Sequence, residues 1–190
     1  LSGVQIAAAE GAVELRATDM EIGLRSPAAA EVIRPGEVVL PARLLLDVVR
    51  RLPGDTVTLE LRPEQQDVEV VAGTAQFHLR TLRVEDFPAL PSRAADADER
   101  HVTLPAEAFV ETVGRVSRSA SRDETRPILT GVLVSAEGAA LRMVATDSYR
   151  LSVKETTLAA PVSEPFEANV PARALEELAR LADAAETIGV

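Results

Sequence analysis

Leu-Thr-Gly-Val at residues 129–132 repeats Leu-Ser-Gly-Val at residues 1–4, and this repetition decides the fold. Two more pairs of motifs keep nearly the same spacing: Ala-Thr-Asp at 17–19 and 145–147, and Pro-Ala-Arg at 41–43 and 171–173. The offset is 128 residues for the first two pairs and 130 for the third. Three separated matches in register indicate two copies of one structural unit, and a period this long is typical of a duplicated domain rather than a solenoid.

The composition is that of a globular chain with aliphatic cores. Of its 190 residues, 46% are hydrophobic but only 3% are Phe, Tyr or Trp, so aliphatic side chains must fill the interior. The absence of cysteine excludes disulfides and thiolate metal sites. The formal net charge of -10 repels phosphate overall, so a nucleic-acid contact would require basic residues gathered on one surface. Without a signal peptide or a membrane-length apolar segment, we expect a soluble, cytoplasmic protein with no membrane partner.

Alternating and amphipathic segments predict an α+β fold with helices packed on antiparallel sheets. One helix is expected from about Ala42 to Leu52, a second from Pro105 to about Ala120, and a third from Ala172 to Ala182. Strands are predicted at residues 13–15, 22–24, 38–40, 56–61, 67–71, 76–82, 131–135, 140–144 and 149–154.

A polar, charged run at residues 92–101 predicts a linker between two domains, residues 1–91 and 102–190. In the second domain a helix precedes the Leu-Thr-Gly-Val strand, whereas its counterpart in the first would lie before Leu1. The first domain continues through three strands after its Pro-Ala-Arg helix, but the second stops at Val190. We therefore expect a fragment of a longer protein, lacking the N-terminal helix of one domain and the last strands of the other.

The three predicted helices carry arginine on the side away from their apolar residues. These arginines are Arg43 and Arg50 on the first helix, Arg115, Arg118 and Arg122 on the second, and Arg173 and Arg180 on the third. The middle three fall within a sector of about 60°. A solvated face is one explanation. Because both copies keep the arginine pattern, it instead indicates a basic surface that contacts phosphates without reading bases. The scarcity of aromatic residues favours duplex DNA over single-stranded nucleic acid as the ligand.

Four ordered motifs resemble one known family. They are Phe-His-Leu-Arg-Thr-Leu followed by Asp-Phe-Pro within 77–88, Thr-Arg-Pro-Ile-Leu-Thr-Gly-Val at 125–132, Ala-Thr-Asp-Ser-Tyr-Arg-Leu at 145–151 and Val-Pro-Ala-Arg at 170–173. In this order they closely resemble the bacterial sliding clamp, the β subunit of DNA polymerase III. The resemblance covers essentially the whole chain, which would correspond to most of the first and second clamp domains, without the third.

The resemblance implies the DNA clamp fold, a ring of two head-to-tail subunits with helices lining the hole and sheets forming the outer wall. It implies a non-catalytic processivity factor, with no cofactor and no metal, that encircles duplex DNA near the nucleoid. The implied partners are duplex DNA, the DNA polymerase III α subunit, the clamp loader, other proteins carrying a short hydrophobic clamp-binding peptide, and a second copy of the full-length protein.

The resemblance also implies that this chain supplies half of the pocket for that peptide. The residues carried over are Arg126, Pro127, Ile128, Leu129, Thr146, Ser148, Tyr149, Arg150 and Leu151. Leu129 and Leu151 would seat apolar anchors, while Thr146 and Arg150 would satisfy peptide polar groups. The alternative is that Thr-Asp only forms a turn, as Thr18-Asp19 is expected to do in the first domain.

The resemblance further assigns Phe77 and Leu79, on a predicted edge strand, to the interface between subunits, with core positions as the alternative. Two other functions stay open. One is a protein-interaction scaffold that does not bind DNA. The other is a carboxylate-metal nuclease using the pairs Glu85-Asp86, Asp123-Glu124 or Glu176-Glu177, although no catalytic motif surrounds His78 or His101.

Overall fold

The computed structural model describes residues 3–9, 11–90, 102–182 and 185–189. The chain forms two compact units, Leu1–Ser92 (unit 1) and Arg93–Val190 (unit 2). The linker predicted at residues 92–101 lies outside the described residues. Among those that are described, no helix is both long and apolar enough to cross a membrane.

Unit 1 begins with a four-stranded antiparallel sheet. Its strands are β1 (Gly3–Ala9), β2 (Ala12–Thr18), β3 (Gly23–Ala28) and β4 (Gly36–Pro41), in the order β3-β2-β1-β4. Gly11 makes the tight turn between β1 and β2 with a φ of +77°, a conformation that strains most other residues.

Helix α1 (Ala42–Val49) follows β4 directly and packs on one face of this sheet. A second antiparallel sheet consists of β5 (Thr58–Arg62), β6 (Asp67–Ala72) and β7 (Ala75–Arg80), in that order. One core joins the three elements through Ile6, Leu40, Val48, Val68, Val70 and Leu79.

Unit 2 repeats the four-stranded sheet and carries two helices. Its elements are β8 (Thr103–Pro105), α2 (Ala106–Val116), β9 (Gly131–Glu137), β10 (Ala140–Thr146), β11 (Leu151–Thr157), β12 (Phe166–Pro171), α3 (Ala172–Ala182) and β13 (Thr187–Gly189). The sheet order is β11-β10-β9-β12, and β13 pairs with β8. Apolar residues three or four apart give α2 one buried stripe that includes Phe109, Val113 and Val116.

The strand registers confirm the duplication. Gln5 pairs with Arg16 in unit 1, and Leu133 pairs with Val144 in unit 2, at an offset of 128 residues. Gln5 also faces Val39, as Leu133 faces Asn169, which reproduces the offset of 130. The side chains in corresponding positions can therefore be compared directly. We call the face of each four-stranded sheet that points away from the helices its outer face.

Two predicted helices extend too far. Helix α1 ends at Val49, and the N–H of Arg51 bonds instead to the carbonyl of Val48, three residues back. Helix α2 ends at Val116 and tightens into a 3-10 turn, Ser117–Ser119, rather than reaching Ala120. Hydroxyl side chains compete with helix geometry, and the Ser119 hydroxyl lies 2.7 Å from that of Ser152 on β11. The third predicted helix is confirmed as α3.

Candidate functional site

The turn between β10 and β11 (residues 146–150, the unit 2 corner) is built around the Asp147 carboxylate. Its Oδ1 accepts hydrogen bonds from the backbone N–H groups of Tyr149 and Arg150, both at 3.0 Å. The Thr146 hydroxyl accepts from the N–H of Ser148 at 3.1 Å and donates to the carbonyl of Arg150 at 2.8 Å. Ser148 has a φ of +79°. This conformation leaves the side chain of Tyr149 exposed.

Unit 1 contains the same turn between β2 and β3 (residues 18–22, the unit 1 corner). Asp19 Oδ1 accepts from the N–H groups of Glu21 and Ile22 at 3.1 and 2.8 Å, and the Thr18 hydroxyl accepts from Met20 at 3.0 Å. Met20 has a φ of +80°, matching Ser148. The predicted turn role of Thr-Asp is therefore confirmed in both copies. A difference in function between the units must come from the side chains around the corners.

The segment from Arg126 to Thr130 lies beside the unit 2 corner. The Arg126 guanidinium donates to Asp123 Oδ2 at 3.0 Å and to the Ser148 hydroxyl at 3.4 Å. The Asn169 side-chain N–H donates to the carbonyl of Ile128 at 3.1 Å. These bonds bring together two parts of the predicted pocket that are separated in sequence, because Arg126 contacts Ser148 directly.

Most of the predicted pocket residues are exposed. Tyr149 has 95% of its surface accessible, Ile128 79% and Leu151 65%. Arg126, Pro127, Ser148 and Arg150 are also exposed, whereas Leu129 and Thr146 are partly buried. An exposed group of Ile128, Tyr149 and Leu151 around one turn is the kind of apolar patch that marks an interaction site.

Three apolar residues next to this patch were not predicted from the sequence as part of the site. Leu133, Val144 and Val153 pair across β9, β10 and β11 on the outer face, in one row (the outer row). Val153 is 56% exposed. A period-two pattern could have identified them, but their strands also carry the buried residues Val132, Met143 and Ala145, so the apolar runs are nearly continuous.

The corresponding row of unit 1 is polar. Gln5, Arg16 and Arg25 occupy the positions equivalent to the outer row, in the same register. Arg16 forms ion pairs with Glu14 and, at 3.6 Å, with Glu37. The two copies therefore share a backbone but differ in the chemistry of their outer faces.

All seven predicted DNA-facing arginines are exposed. Arg115 pairs with Glu111 at 2.6 Å and Arg180 pairs with Glu177 at 3.1 Å. Within the described ranges, four of the seven have no carboxylate partner: Arg43, Arg50, Arg118 and Arg122. On the outer faces, by contrast, arginines such as Arg142 are paired with glutamate. Ion pairing is therefore less complete among these seven arginines than among the arginines of the outer faces, although exposed carboxylates such as Glu107 and Glu176 lie on the same helices.

Helices α2 and α3 pack side by side in unit 2, and Arg118 and Arg180 both line the groove between them. The predicted helical sector of Arg115, Arg118 and Arg122 is wrong in detail. Arg118 lies in the 3-10 turn, and Arg122 follows the extended residue Ala120. Arg122 is exposed, but it does not continue the exposed face of helix α2.

The assignment of Leu79 to a subunit interface also needs correction. Leu79 is 3% exposed and pairs with Val68 inside the unit 1 core, so the alternative that it is a core residue is right. Phe77, two residues earlier on the terminal strand β7, is 40% exposed.

The acidic pairs considered for a nuclease are engaged by neighbouring arginines. Arg83 lies within 4 Å of Glu85 and Asp86, Arg126 contacts Asp123, and Arg180 contacts Glu177. Across the described part of the chain, no three His, Asp or Glu side chains are grouped as metal ligands. These contacts give the nuclease alternative no support.

Comparison with known proteins follows the same division of the chain. A family model for the DNA polymerase III beta subunit, N-terminal domain, matches residues 1–91, and the model for its central domain matches residues 103–190. The beta sliding clamp of Streptomyces coelicolor is 37% identical over 182 residues, which cover 95% of this chain and 46% of that protein. The clamp of Micrococcus luteus is 41% identical over 155 residues, covering 82% and 48%.

Solved structures give the same result. The DNA polymerase III subunit beta of Pseudomonas aeruginosa matches 100% of this chain and 52% of its own, with a TM-score of 0.90 and 28% identity. A Pseudomonas aeruginosa sliding clamp bound to griselimycin matches with a TM-score of 0.87, 29% identity, and coverage of 100% and 51%. Fold and comparisons together define a tandem pair of DNA clamp domains. The chain belongs to the bacterial β sliding clamp family, and it spans about half the length of the curated relatives it matches.

The hydrogen bonds of the unit 2 corner predict an acid-sensitive turn. The pKa of the Asp147 carboxyl lies below its usual value because the N–H of Tyr149 donates to it, followed by the N–H and the guanidinium of Arg150. Stability from a carboxyl with a lowered pKa is present above the unfolded-state pKa of about 3.9 and is lost as pH falls through the folded-state value. Carbon-detected NMR should therefore show Asp147 titrating below about 3.9, with the Tyr149 and Arg150 amide shifts moving in step.

Asp147→Asn is the control for this titration. It keeps the Oδ1 acceptor but cannot ionise, so the amide shifts of Tyr149 and Arg150 should show no transition in the same range. A midpoint for Asp147 at or above about 3.9 would contradict the role given to these bonds.

Proposed function

We propose that this chain is the part of a sliding clamp that faces duplex DNA with its helices and binds partner peptides with the outer face of unit 2. Residues 1–91 and 102–190 act as its first and second clamp domains, joined by residues 92–101. The role is that of a non-catalytic accessory subunit that tethers the replicative polymerase to DNA in the bacterial cytoplasm. The observation that carries this proposal is the contrast between exposed arginines on and directly after the helices and an exposed apolar patch on the outer face of unit 2.

The arginines without carboxylate partners support the DNA-facing role. Arg43, Arg50, Arg118 and Arg122 lie on or close after helices, and no carboxylate among the described residues pairs with them. Exposed guanidinium groups contact phosphates without reading bases, and the contacts are weakened by salt. A ring held by topology needs only such weak contacts, and the net charge of -10 limits binding elsewhere. That all three helices share one lining remains a prediction.

The outer row supports the peptide-binding role. The outer row of unit 2 continues the apolar surface of Leu151 with Leu133, Val144 and Val153. The equivalent row of unit 1 consists of the polar residues Gln5, Arg16 and Arg25. Apolar pockets with a few polar groups at their edge are typical sites for short peptides. Exposed Arg126 and Arg150 supply that polar edge. The occupants we propose are short hydrophobic peptides of the DNA polymerase III α subunit, the clamp loader and other clamp partners.

A homodimeric ring completes the proposal. Phe77 is the residue of the predicted interface pair that retains an exposed side chain, and β7 is a terminal strand with backbone groups available for pairing. Leu79 would support that strand from inside the core.

Removing single arginines should change the salt dependence of duplex binding. For Arg118→Gln or Arg180→Gln, the slope of log Kobs against log salt should fall by about 0.9 if the residue neutralises one phosphate. Arg142→Gln is the matched control, because Arg142 lies on the outer face and is paired with Glu155. Fluorescence anisotropy with a labelled duplex over a range of salt concentrations measures these slopes. If all three variants keep the parent slope, the scaffold without DNA becomes the better hypothesis.

Leu151→Asp should abolish binding of a synthetic peptide with adjacent Leu and Phe, because it places a charge in the apolar patch. The fold should remain, since Leu151 is 65% exposed. Leu181→Asp is the control, as Leu181 is another exposed leucine of unit 2 but lies on α3. Isothermal titration calorimetry and circular dichroism give the two readouts. Unchanged peptide affinity in Leu151→Asp, or its global unfolding, would refute the placement of the pocket.

A further inference from the structure

The chain that follows β7 in unit 1 contacts the four-stranded sheet of that unit at two places, near residue 82 and at residue 90. We call residues 81–90 the strap. Near its start, the N–H of Leu82 donates to the carbonyl of Val39 on β4 at 2.8 Å. A 3-10 turn, Val84–Asp86, follows, and the strap reaches β3 with Leu90. It therefore spans the sheet from β4 on one side to β3 on the other.

Two contacts hold the end of the strap on β3. The Leu90 side chain lies against Gly23, and its Cδ2 would be 3.0 Å from a Cβ built on that glycine. The Arg25 guanidinium donates to the carbonyl of Leu90 at 2.9 Å. Gly23 does not have a positive φ, so its backbone would allow a larger residue. A side chain at position 23 would press on the end of the Leu90 side chain, and one larger than a methyl group would occupy its place.

Unit 2 has different residues at both of these positions. Leu151 is the equivalent of Gly23, since it pairs with Thr146 as Gly23 pairs with Thr18. Val153 is the equivalent of Arg25. A leucine at position 23 would fill the space that Leu90 uses, and a valine at position 25 could not donate a hydrogen bond. Neither contact of the strap can therefore be reproduced on unit 2.

We propose that the strap is an internal occupant of unit 1, held by Leu90 on the surface that corresponds to the peptide site of unit 2. Positions 23 and 25 then decide which copy accepts a partner: Gly23 and Arg25 hold the strap, whereas Leu151 and Val153 leave an apolar surface for a peptide in trans. The comparison with a peptide site rests on the proposed function, but the contact of Leu90 with unit 1 does not.

Gly23→Leu tests the strap directly. The larger side chain should displace Leu90 and raise the hydrogen-exchange rate of amides in residues 83–90 by about tenfold. Gly36→Leu is the matched control, because nothing lies within 4 Å of a Cβ at Gly36, which is also in the same sheet. Mass spectrometry of peptic fragments gives the rates for both variants. Equal rates in the two variants would overturn the proposal.

A second pair of variants covers the case in which Gly23→Leu disturbs the sheet. Leu90→Ala shortens the side chain on the strap itself and should give a similar acceleration, whereas Ala89→Ser, at the exposed neighbouring position, should not. An unchanged rate in Leu90→Ala would overturn the proposal.

The exclusion of peptides from unit 1 has its own readout. In the parent chain, a saturating synthetic peptide with adjacent Leu and Phe should leave hydrogen exchange in residues 18–25 unchanged. Slower exchange there would show that the strap does not exclude it and would overturn the proposal. This result is separate from the effect of Leu151→Asp, which tests the unit 2 site alone.

Discussion

The arrangement of each four-stranded sheet depends on one aspartate that binds two backbone N–H groups at the turn after its second strand. Asp147 and Asp19 make these bonds in the same way, and a residue with positive φ follows each of them. The bonds fix where the third strand begins, and hence its register with the second. Because side chains alternate between faces, a shift of one residue would exchange the inner and outer faces. The corner therefore determines which side chains can reach a ligand.

On this common backbone the two copies have diverged at a small number of positions. In unit 1 the row equivalent to the outer row is polar, and the Leu90 side chain lies against Gly23, two residues before Arg25 on the same strand. In unit 2 the same row is apolar, and Leu151 is exposed at its end. The helices carry arginines, and several of these have no carboxylate partner among the residues that the structure describes. Under the proposed function, one domain type would supply both a weak, sliding contact to phosphates and a specific contact to apolar peptide side chains.

The sequence predicted the features that depend on local or repeated patterns. The duplication, the Thr-Asp corners and helix α3 follow from motif spacing and amphipathic periodicity. The end of α2 did not, because it depends on the contact of Ser119 with Ser152, 33 residues away. Leu79 was misplaced since strand position alone does not say which edge residues are covered. The strap was beyond sequence reasoning because Arg25 and Leu90 are 65 residues apart.

If the duplicated units present two chemically distinct surfaces, duplex DNA and partner peptides must bind at different places. Chemical-shift mapping of the isotope-labelled chain with a short duplex, and separately with a Leu-Phe peptide, measures both places. The duplex should perturb amides of α2, α3 and the turn after α2, whereas the peptide should perturb residues 126–130 and 146–153. Overlapping perturbations from the two ligands, or peptide shifts centred on residues 18–25, would contradict this separation.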